Sequence, residues 1–122
     1  MLAVFGNGII VNKTFEFALR TIKLCKYLKQ SQKDYAISSQ LVRSGTSIGA
    51  NVREAVYAQS VNDFICKLTI AIKEANETHY WLELAYGAEW LTKQEFDSII
   101  QDCDEILKLL TSTINTTKKK MK

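Results

Sequence analysis

The sequence contains no proline and only five glycines among its 122 residues. Sandwiches and barrels of short strands usually need several prolines and glycines in their turns. No apolar run approaches the roughly 20 residues of a membrane-spanning helix. The apolar N-terminal stretch MLAVFGNGIIV lacks the basic start and the cleavage site of a signal peptide. We therefore expect a protein of long helices that is cytoplasmic and has no membrane partner.

Residues that commonly hold metals or perform catalysis are also scarce. His79 is the only histidine, and the three cysteines, Cys25, Cys66 and Cys103, show no CxxC spacing. A zinc site needs several Cys or His ligands, and a di-iron bundle needs two Glu-x-x-His pairs, whereas position 76 is Asn. We expect three buried reduced thiols, no metal, no cofactor, no small-molecule substrate and no enzymatic activity.

The net charge of +3 conceals an uneven distribution along the chain. Residues 1–59 carry eight Lys/Arg and three Asp/Glu, whereas residues 60–117 carry four Lys/Arg and ten Asp/Glu. Two arrangements would compensate such a distribution. The two halves can pair within one chain, or the basic side of one subunit can meet the acidic side of the next.

Four segments repeat apolar residues at steps of three and four, which is the spacing of amphipathic helices. The third and fourth segments open with SVND and TKQE, which have the form of capping boxes. We predict an all-α fold with no sheet: a single domain, 1–122, folded as an up-down-up-down, left-handed four-helix bundle. The predicted helices cover about 14–30, 34–58, 60–89 and 93–117, and a basic tail follows at 118–122.

The first helix is predicted to begin near Thr14, because threonine is a favoured N-cap residue. Its apolar residues should form the stripe that faces the core. These residues are Phe15, Ala18, Leu19, Ile22, Cys25 and Leu28.

The stretch RSGTSIGAN, residues 43–51, resembles a loop in composition but continues the apolar stripe of the second helix. Gly45 and Gly49 lie on one helix face, and each costs about 1 kcal/mol relative to alanine. We expect close approach of another helix there, because the G-x-x-x-x-G-K-[ST] pattern of a phosphate-binding loop is absent. Polar residues beside the glycines, with two on the third helix, should form an interhelical network of Arg43, Ser44, Ser47, Asn51, Glu54, Glu74 and Trp81.

The segments QLVRSGTSIGANVREA and SVNDFICKLTIAIKEANETHYWLEL resemble the four-helix-bundle family of 23S rRNA intervening-sequence proteins. The likeness extends over about residues 14–117. Many relatives have proline where Gly49 stands, and AEG where this chain has REA. The residues that match the family pattern are Arg43, Ser44, Ser47, Ile48, Ala50, Asn51, Glu54, Phe64, Lys67, Ile70, Ala71, Lys73, Glu74, Ala75, Glu77, Thr78, Tyr80, Trp81 and Leu82.

The resemblance implies a ring-like homopentamer and no defined biochemical role. Some members were found as reading frames within insertions in bacterial large-subunit rRNA genes. A related helical bundle, the accessory protein of diversity-generating reverse transcriptases, binds nucleic acid. Association with RNA is therefore an implication of the resemblance.

Two functional hypotheses remain open at the level of sequence. The first is an RNA-associated homo-oligomer, in which the nucleic-acid contacts would be made by Lys118, Lys119, Lys120 and Lys122. The second is a protein-interaction scaffold with protein partners and no nucleic-acid role. In that case aromatic residues such as Tyr80, Trp81 and Trp90 would form the contact surface.

Overall fold

The structure, a computed structural model, describes residues 8–121. No strand occurs between these limits, and the prediction of an all-α four-helix bundle is confirmed. Lys122, one of the proposed nucleic-acid contacts, lies outside the described residues. The four helices are α1 Ile9–Ser31, α2 Ala36–Val56, α3 Val61–Gly87 and α4 Lys93–Lys120.

Each helix packs against the helices that precede and follow it in the chain, and α4 also contacts α1. The contact between α1 and α4 is the least extensive of the four. Helices α1 and α2 run antiparallel. The Cys25 thiol donates to the Ser38 carbonyl near the α1–α2 turn, whereas Thr14 meets Gly49 toward the other end. These contacts are those expected of an up-down-up-down order, and both that order and the left-handed sense stay predictions.

The first helix begins five residues earlier than the sequence pattern predicts. Gly8 precedes it with a φ of 76°, and α1 starts at Ile9. Thr14 is fully buried inside the helix, and its hydroxyl donates to the carbonyl of Ile10 at 2.8 Å. The N-cap prediction for Thr14 was therefore wrong, because its hydroxyl forms a hydrogen bond with a carbonyl of the preceding turn inside the helix.

The inner face of α1 also differs from the predicted stripe. Phe15, Leu19 and Ile22 are 47%, 39% and 48% exposed, so their assignment to the core was wrong. Cys25 and Leu28 are buried as predicted. The residues of α1 that face the core are Ile10, Thr14, Phe17, Thr21, Cys25 and Leu28.

The ends of the other helices follow recognisable capping chemistry. The Ser60 hydroxyl accepts from the Asp63 amide at 3.0 Å, and Thr92 and Glu95 form a reciprocal capping box. The Asp34 carboxylate accepts from the Ser38 amide at 2.8 Å at the start of α2. The fourth helix continues to Lys120, so most of the predicted tail is helical. A basic last turn suits the negative end of the helix dipole.

The three cysteines do not share one environment. Cys25 and Cys103 are buried, and burial raises the pKa of their thiols to about 11 and about 12 respectively. Cys66 is exposed on α3, so its predicted burial was wrong. The first two thiols are therefore protonated and enclosed at neutral pH, whereas solvent can reach the third.

Candidate assembly and nucleic-acid surfaces

The two glycines of α2 face α1 at very short range. A Cβ atom built on Gly45 would lie 2.6 Å from Cγ2 of Thr21. A Cβ atom on Gly49 would lie 3.3 Å from the carbonyl oxygen of Thr14. Side chains at these positions would push α1 away from α2. The RSGTSIGAN stretch therefore serves helix packing, and its glycines lie inside a helix.

Ser44 connects α2 to α3 through a buried hydrogen bond. Its hydroxyl oxygen lies 2.8 Å from the hydroxyl oxygen of Thr78, and both side chains are fully buried. Sequence reasoning did not single out Thr78 as part of the network. A signal existed, because the apolar stripe of α3 skips one step between Ala75 and Leu82, and Thr78 occupies that step.

A charged cluster covers the same interface closer to solvent. Arg43 of α2 makes ion pairs with Glu74, at 3.1 Å, and with Glu77 of α3. The indole nitrogen of Trp81 donates to the Glu77 carboxylate at 3.2 Å. The structure thus joins three of the predicted residues, Arg43, Glu74 and Trp81. Glu77 is the member of this cluster that the predicted network lacked.

The remaining predicted network residues do not join this cluster by side-chain contacts. The Ser47 hydroxyl donates to the Arg43 carbonyl at 2.6 Å, and the Asn51 amide donates to the Ser47 carbonyl at 2.9 Å. Both bonds stay within α2. The exposed Glu54 carboxylate lies 3.9 Å from the ammonium group of Lys67 on α3. The predicted network is therefore divided between interhelical and local contacts.

Ion pairs within the chain compensate part of the charge asymmetry. Lys13 and Arg20 of α1 pair with Glu105 and Asp102 of α4, the second pair at 2.7 Å. The hydrogen bond from Lys13 lowers the pKa of Glu105. Together with the pairs of Arg43, these contacts join the basic first half to the acidic second half. Internal pairing, one of the two arrangements considered for the sequence, is therefore present.

Apolar side chains remain exposed in two rows on different helices. The α1 row consists of Phe15, Leu19 and Ile22. The α3 row consists of Tyr80 and Leu84, which are 54% and 39% exposed. The half-buried Trp81 packs against Tyr80 beside the α3 row, with ring centroids 5.1 Å apart. Contiguous exposed apolar surface of this kind commonly marks a site of protein association.

The C-terminal lysines are exposed at the end of α4. Lys118, Lys119 and Lys120 occupy its last turn, and none makes an ion pair with another described residue. Trp90, proposed from the sequence as a partner residue, is half-buried and packs against the core. Of the three aromatic residues proposed, Tyr80 is the one that is mainly exposed.

Within residues 8–121, no three His, Cys, Asp or Glu side chains converge in a way that could hold a metal ion. Over the same residues, no helix has a stretch long and apolar enough to cross a bilayer.

The fold and these surfaces define a four-helix bundle with a close-packed glycine interface and two exposed apolar rows. The profile of the family described as "23S rRNA-intervening sequence protein" matches residues 7–112, which is most of the chain. The chain therefore belongs to this family. No curated protein matches its sequence.

A solved structure agrees with this assignment. It is the crystal structure of a protein of unknown function from the S23 ribosomal protein family of Bacteroides thetaiotaomicron. That protein is 54% identical to this chain, and the two superpose with a TM-score of 0.85. The match covers 86% of this chain and 97% of the relative.

Proposed function

We propose that this chain is a non-enzymatic, cytoplasmic protein that assembles into a ring-like homo-oligomer and associates with RNA. The exposed apolar rows of α1 and α3 are the observation that carries the assembly. A monomer would leave Phe15, Leu19 and Ile22 in water on one helix, and Tyr80 and Leu84 on another. A second copy of the chain can cover these rows because each is apolar and accessible.

The position of the two rows in the bundle favours a ring. Both α1 and α3 pack against α2 and α4, so they occupy opposite corners of the bundle. Contact between the α1 row of one copy and the α3 row of the next uses two different surfaces. Such heterologous contacts propagate from subunit to subunit and close into a ring when the rotation allows it. Our choice of five subunits follows the family resemblance.

Two charge-introducing variants test this contact. Light scattering after size exclusion should give the parent a mass several times its 13.9 kDa chain mass. Leu19→Arg and Leu84→Arg should each break the ring, since each places a charge in one row. Tyr57→Arg is the matched control, because Tyr57 is 85% exposed and belongs to neither row.

Mixing the two variants provides a sharper test. Each variant keeps one intact row, so a heterologous contact predicts that the mixture forms a dimer of one copy of each. A contact of identical rows predicts no such dimer. A parent protein that stays monomeric at micromolar concentration would refute the assembly.

Association with RNA is supported by the lysines that have no acidic partner among the described residues, including Lys118, Lys119 and Lys120. Lysine contacts phosphate as a point charge and reads no base, so binding should depend on salt and little on sequence. A ring would gather several such surfaces and increase the apparent affinity. The first measurement is the ratio of absorbance at 260 and 280 nm for the purified protein, which would reveal co-purified nucleic acid.

Deleting residues 118–122 tests the contribution of the C-terminal lysines. If the four lysines contact duplex phosphates, the slope of log affinity against log salt should fall by up to about four units. Unchanged affinity and slope would show that these lysines are only solvated. The alternative of a protein-interaction scaffold is favoured if native pull-downs recover proteins through the Tyr80 row and no RNA.

A further inference from the structure

The second half of α1 carries a run of uncompensated positive charge. Between residues 17 and 33 the chain has five Lys/Arg residues and no Asp or Glu. Arg20 is paired with Asp102, whereas the other four make no ion pair with any described residue. These four define the α1 basic end: Lys23, Lys26 and Lys29 at steps of three along the helix, and Lys33 in the turn that follows.

Most carboxylates near this end of the bundle are already engaged, and the exception is Glu89 in the α3–α4 turn, which makes no described ion pair. Asp34, beside Lys33, accepts hydrogen bonds from the start of α2. In the first ten residues of α4, Glu95 belongs to the capping box, Asp97 pairs with Lys93, and Asp102 pairs with Arg20. The four lysines of the α1 basic end therefore concentrate positive charge along the second half of α1, where it can attract a polyanion.

Exposed aromatic rings accompany these lysines. Tyr27 is 47% exposed one residue after Lys26, and Tyr35 is 66% exposed two residues after Lys33. Lys23 and Tyr27 border an open groove of about 500 Å³ between α1 and α4, with Leu24, Leu91 and Ile99 among its lining residues. The groove thus places Lys23 beside the exposed ring of Tyr27, on which an unpaired base can stack, and Glu95 of the capping box also lines it.

We propose that the α1 basic end, with Tyr27 and Tyr35, binds single-stranded nucleic acid. The lysines hold the phosphate backbone, and the two tyrosines stack on bases, which a duplex keeps paired and inaccessible. Lysines beside aromatic rings are the combination that single-strand-binding proteins use without sequence selectivity. The inference rests on the proposed RNA association and places the main contact at the opposite end of the bundle from the C-terminal lysines.

Two variants of equal charge change test the location. The first replaces Lys23, Lys26, Lys29 and Lys33 with Gln, and the second replaces Lys118, Lys119, Lys120 and Lys122 with Gln. Each removes four positive charges per chain, so they differ only in position. A labelled oligouridine is titrated by fluorescence anisotropy at several salt concentrations. For a single strand, loss of four phosphate contacts should lower the log–log salt slope by up to about 2.8 units.

The proposal expects the first variant to lose most of the affinity and slope and the second to remain near the parent. The reverse result would overturn the location and leave RNA association through the C-terminal lysines standing. Equal losses in the two variants would also overturn the location, because binding would then follow total charge. A parent protein that binds no oligouridine at low salt would refute the proposed RNA association itself.

The tyrosines test the single-strand preference. Tyr27→Ala and Tyr35→Ala should each weaken oligouridine binding roughly 5- to 150-fold, the range for loss of one stacked base. Tyr→Phe at the same positions retains the ring and should bind like the parent. Binding to an RNA duplex should be weaker and indifferent to either alanine change. Alanine variants that bind the single strand like the parent would overturn the stacking role.

Folding and assembly are monitored in every variant by circular dichroism and light scattering. The substituted lysines and tyrosines contribute no described ion pair, so helix content and melting temperature should stay near the parent values. If the Lys23, Lys26, Lys29 and Lys33 variant instead becomes monomeric, the α1 basic end is a subunit contact, and the proposal is wrong.

Discussion

Helix α1 is held to its two neighbours by different physical means. Against α2 it presents Thr14 and Thr21 to two glycines, with no room for one further carbon atom at Gly45. Against α4 it presents Lys13 and Arg20 to carboxylates that are partly exposed. The first contact depends on shape in a closely packed interior, and the second depends on charge at a hydrated surface.

This difference indicates where the bundle tolerates change. A close-packed interface relaxes only partly, so an added atom forces side chains or backbone to move. An exposed ion pair contributes little to the free energy of folding, because water screens the charges and the long side chains lose conformational freedom. We therefore expect the α1–α2 contact to determine stability and the α1–α4 contact to vary with little consequence.

The largest effect should come from Gly45→Leu. Leucine cannot fit against Thr21, so the substitution should destabilise the fold by about 1–3 kcal/mol through overpacking. Chemical denaturation measures this loss. Thiol labelling adds a local report, because Cys25 lies at the α1–α2 contact and Cys103 contacts Ala75 of α3. The variant should expose Cys25 to reagent sooner than Cys103.

Gly87→Leu is the matched control for that substitution. A Cβ atom on Gly87 meets nothing within 4 Å, and the residue ends α3 at the surface. This variant should melt close to the parent. If Gly45→Leu does so as well, α1 and α2 do not meet as closely as the structure indicates, and the packing interpretation of RSGTSIGAN is wrong.

An intermediate effect is expected at the buried hydrogen bond between Ser44 and Thr78. Ser44→Ala should lower the free energy of unfolding by about 1 kcal/mol, which is the usual net contribution of one hydrogen bond to stability. The Thr78 hydroxyl keeps a partner in the carbonyl of Glu74, at 2.7 Å, so no polar group is left unsatisfied. Ser39→Ala, at an exposed position of α2, is the control. A loss equal to that of Gly45→Leu would show that polar contacts matter as much as packing here.

A smaller effect is expected from Arg20→Gln at the α1–α4 contact. Arg20 donates to the Asp102 carboxylate at 2.7 Å and to the Ser98 hydroxyl at 2.9 Å, but its side chain is 39% exposed. The loss of unfolding free energy should stay below about 1 kcal/mol. It should be smaller still at high salt, because salt screens the exposed charges. Denaturation curves at low and high salt measure it. A larger, salt-independent loss would indicate that α4 depends on this arginine for its position.

The sequence predicted the helices well and the orientation of α1 poorly. Capping motifs and long apolar stripes located α3 and α4. Helix α1 has apolar residues on two faces, so periodicity alone could not decide which of them is buried. The deciding residues are Thr14 and Thr21, which behave as small apolar groups once their hydroxyls bond to the preceding turn.

The candidate surfaces could be predicted only in part. The glycines of α2 required a neighbour with small side chains, and two threonines seven residues apart on α1 supply it. That match was available in the sequence. The partners of individual charges could not be predicted from the sequence, because Arg43 could have met any of several glutamates on α3. Which lysines remain uncompensated follows from the ion pairs of α1 and α4, and these depend on the three-dimensional register of the helices.

The smallest predicted effect concerns the Lys13–Glu105 pair and its pH dependence. Lys13 lowers the pKa of Glu105 in the folded protein, whereas the unfolded carboxyl titrates near its ordinary value. The pair therefore contributes its stability above that value, and the contribution disappears as pH falls through the lower folded pKa. Lys13→Gln should be slightly less stable than the parent at pH 7, and the difference should vanish in acid. Denaturant titrations of the parent and the variant at both pH values measure this. A difference that persists unchanged at low pH would mean that Lys13 acts through its aliphatic chain, and the contrast between a packed α2 contact and a charged α4 contact would then be too simple.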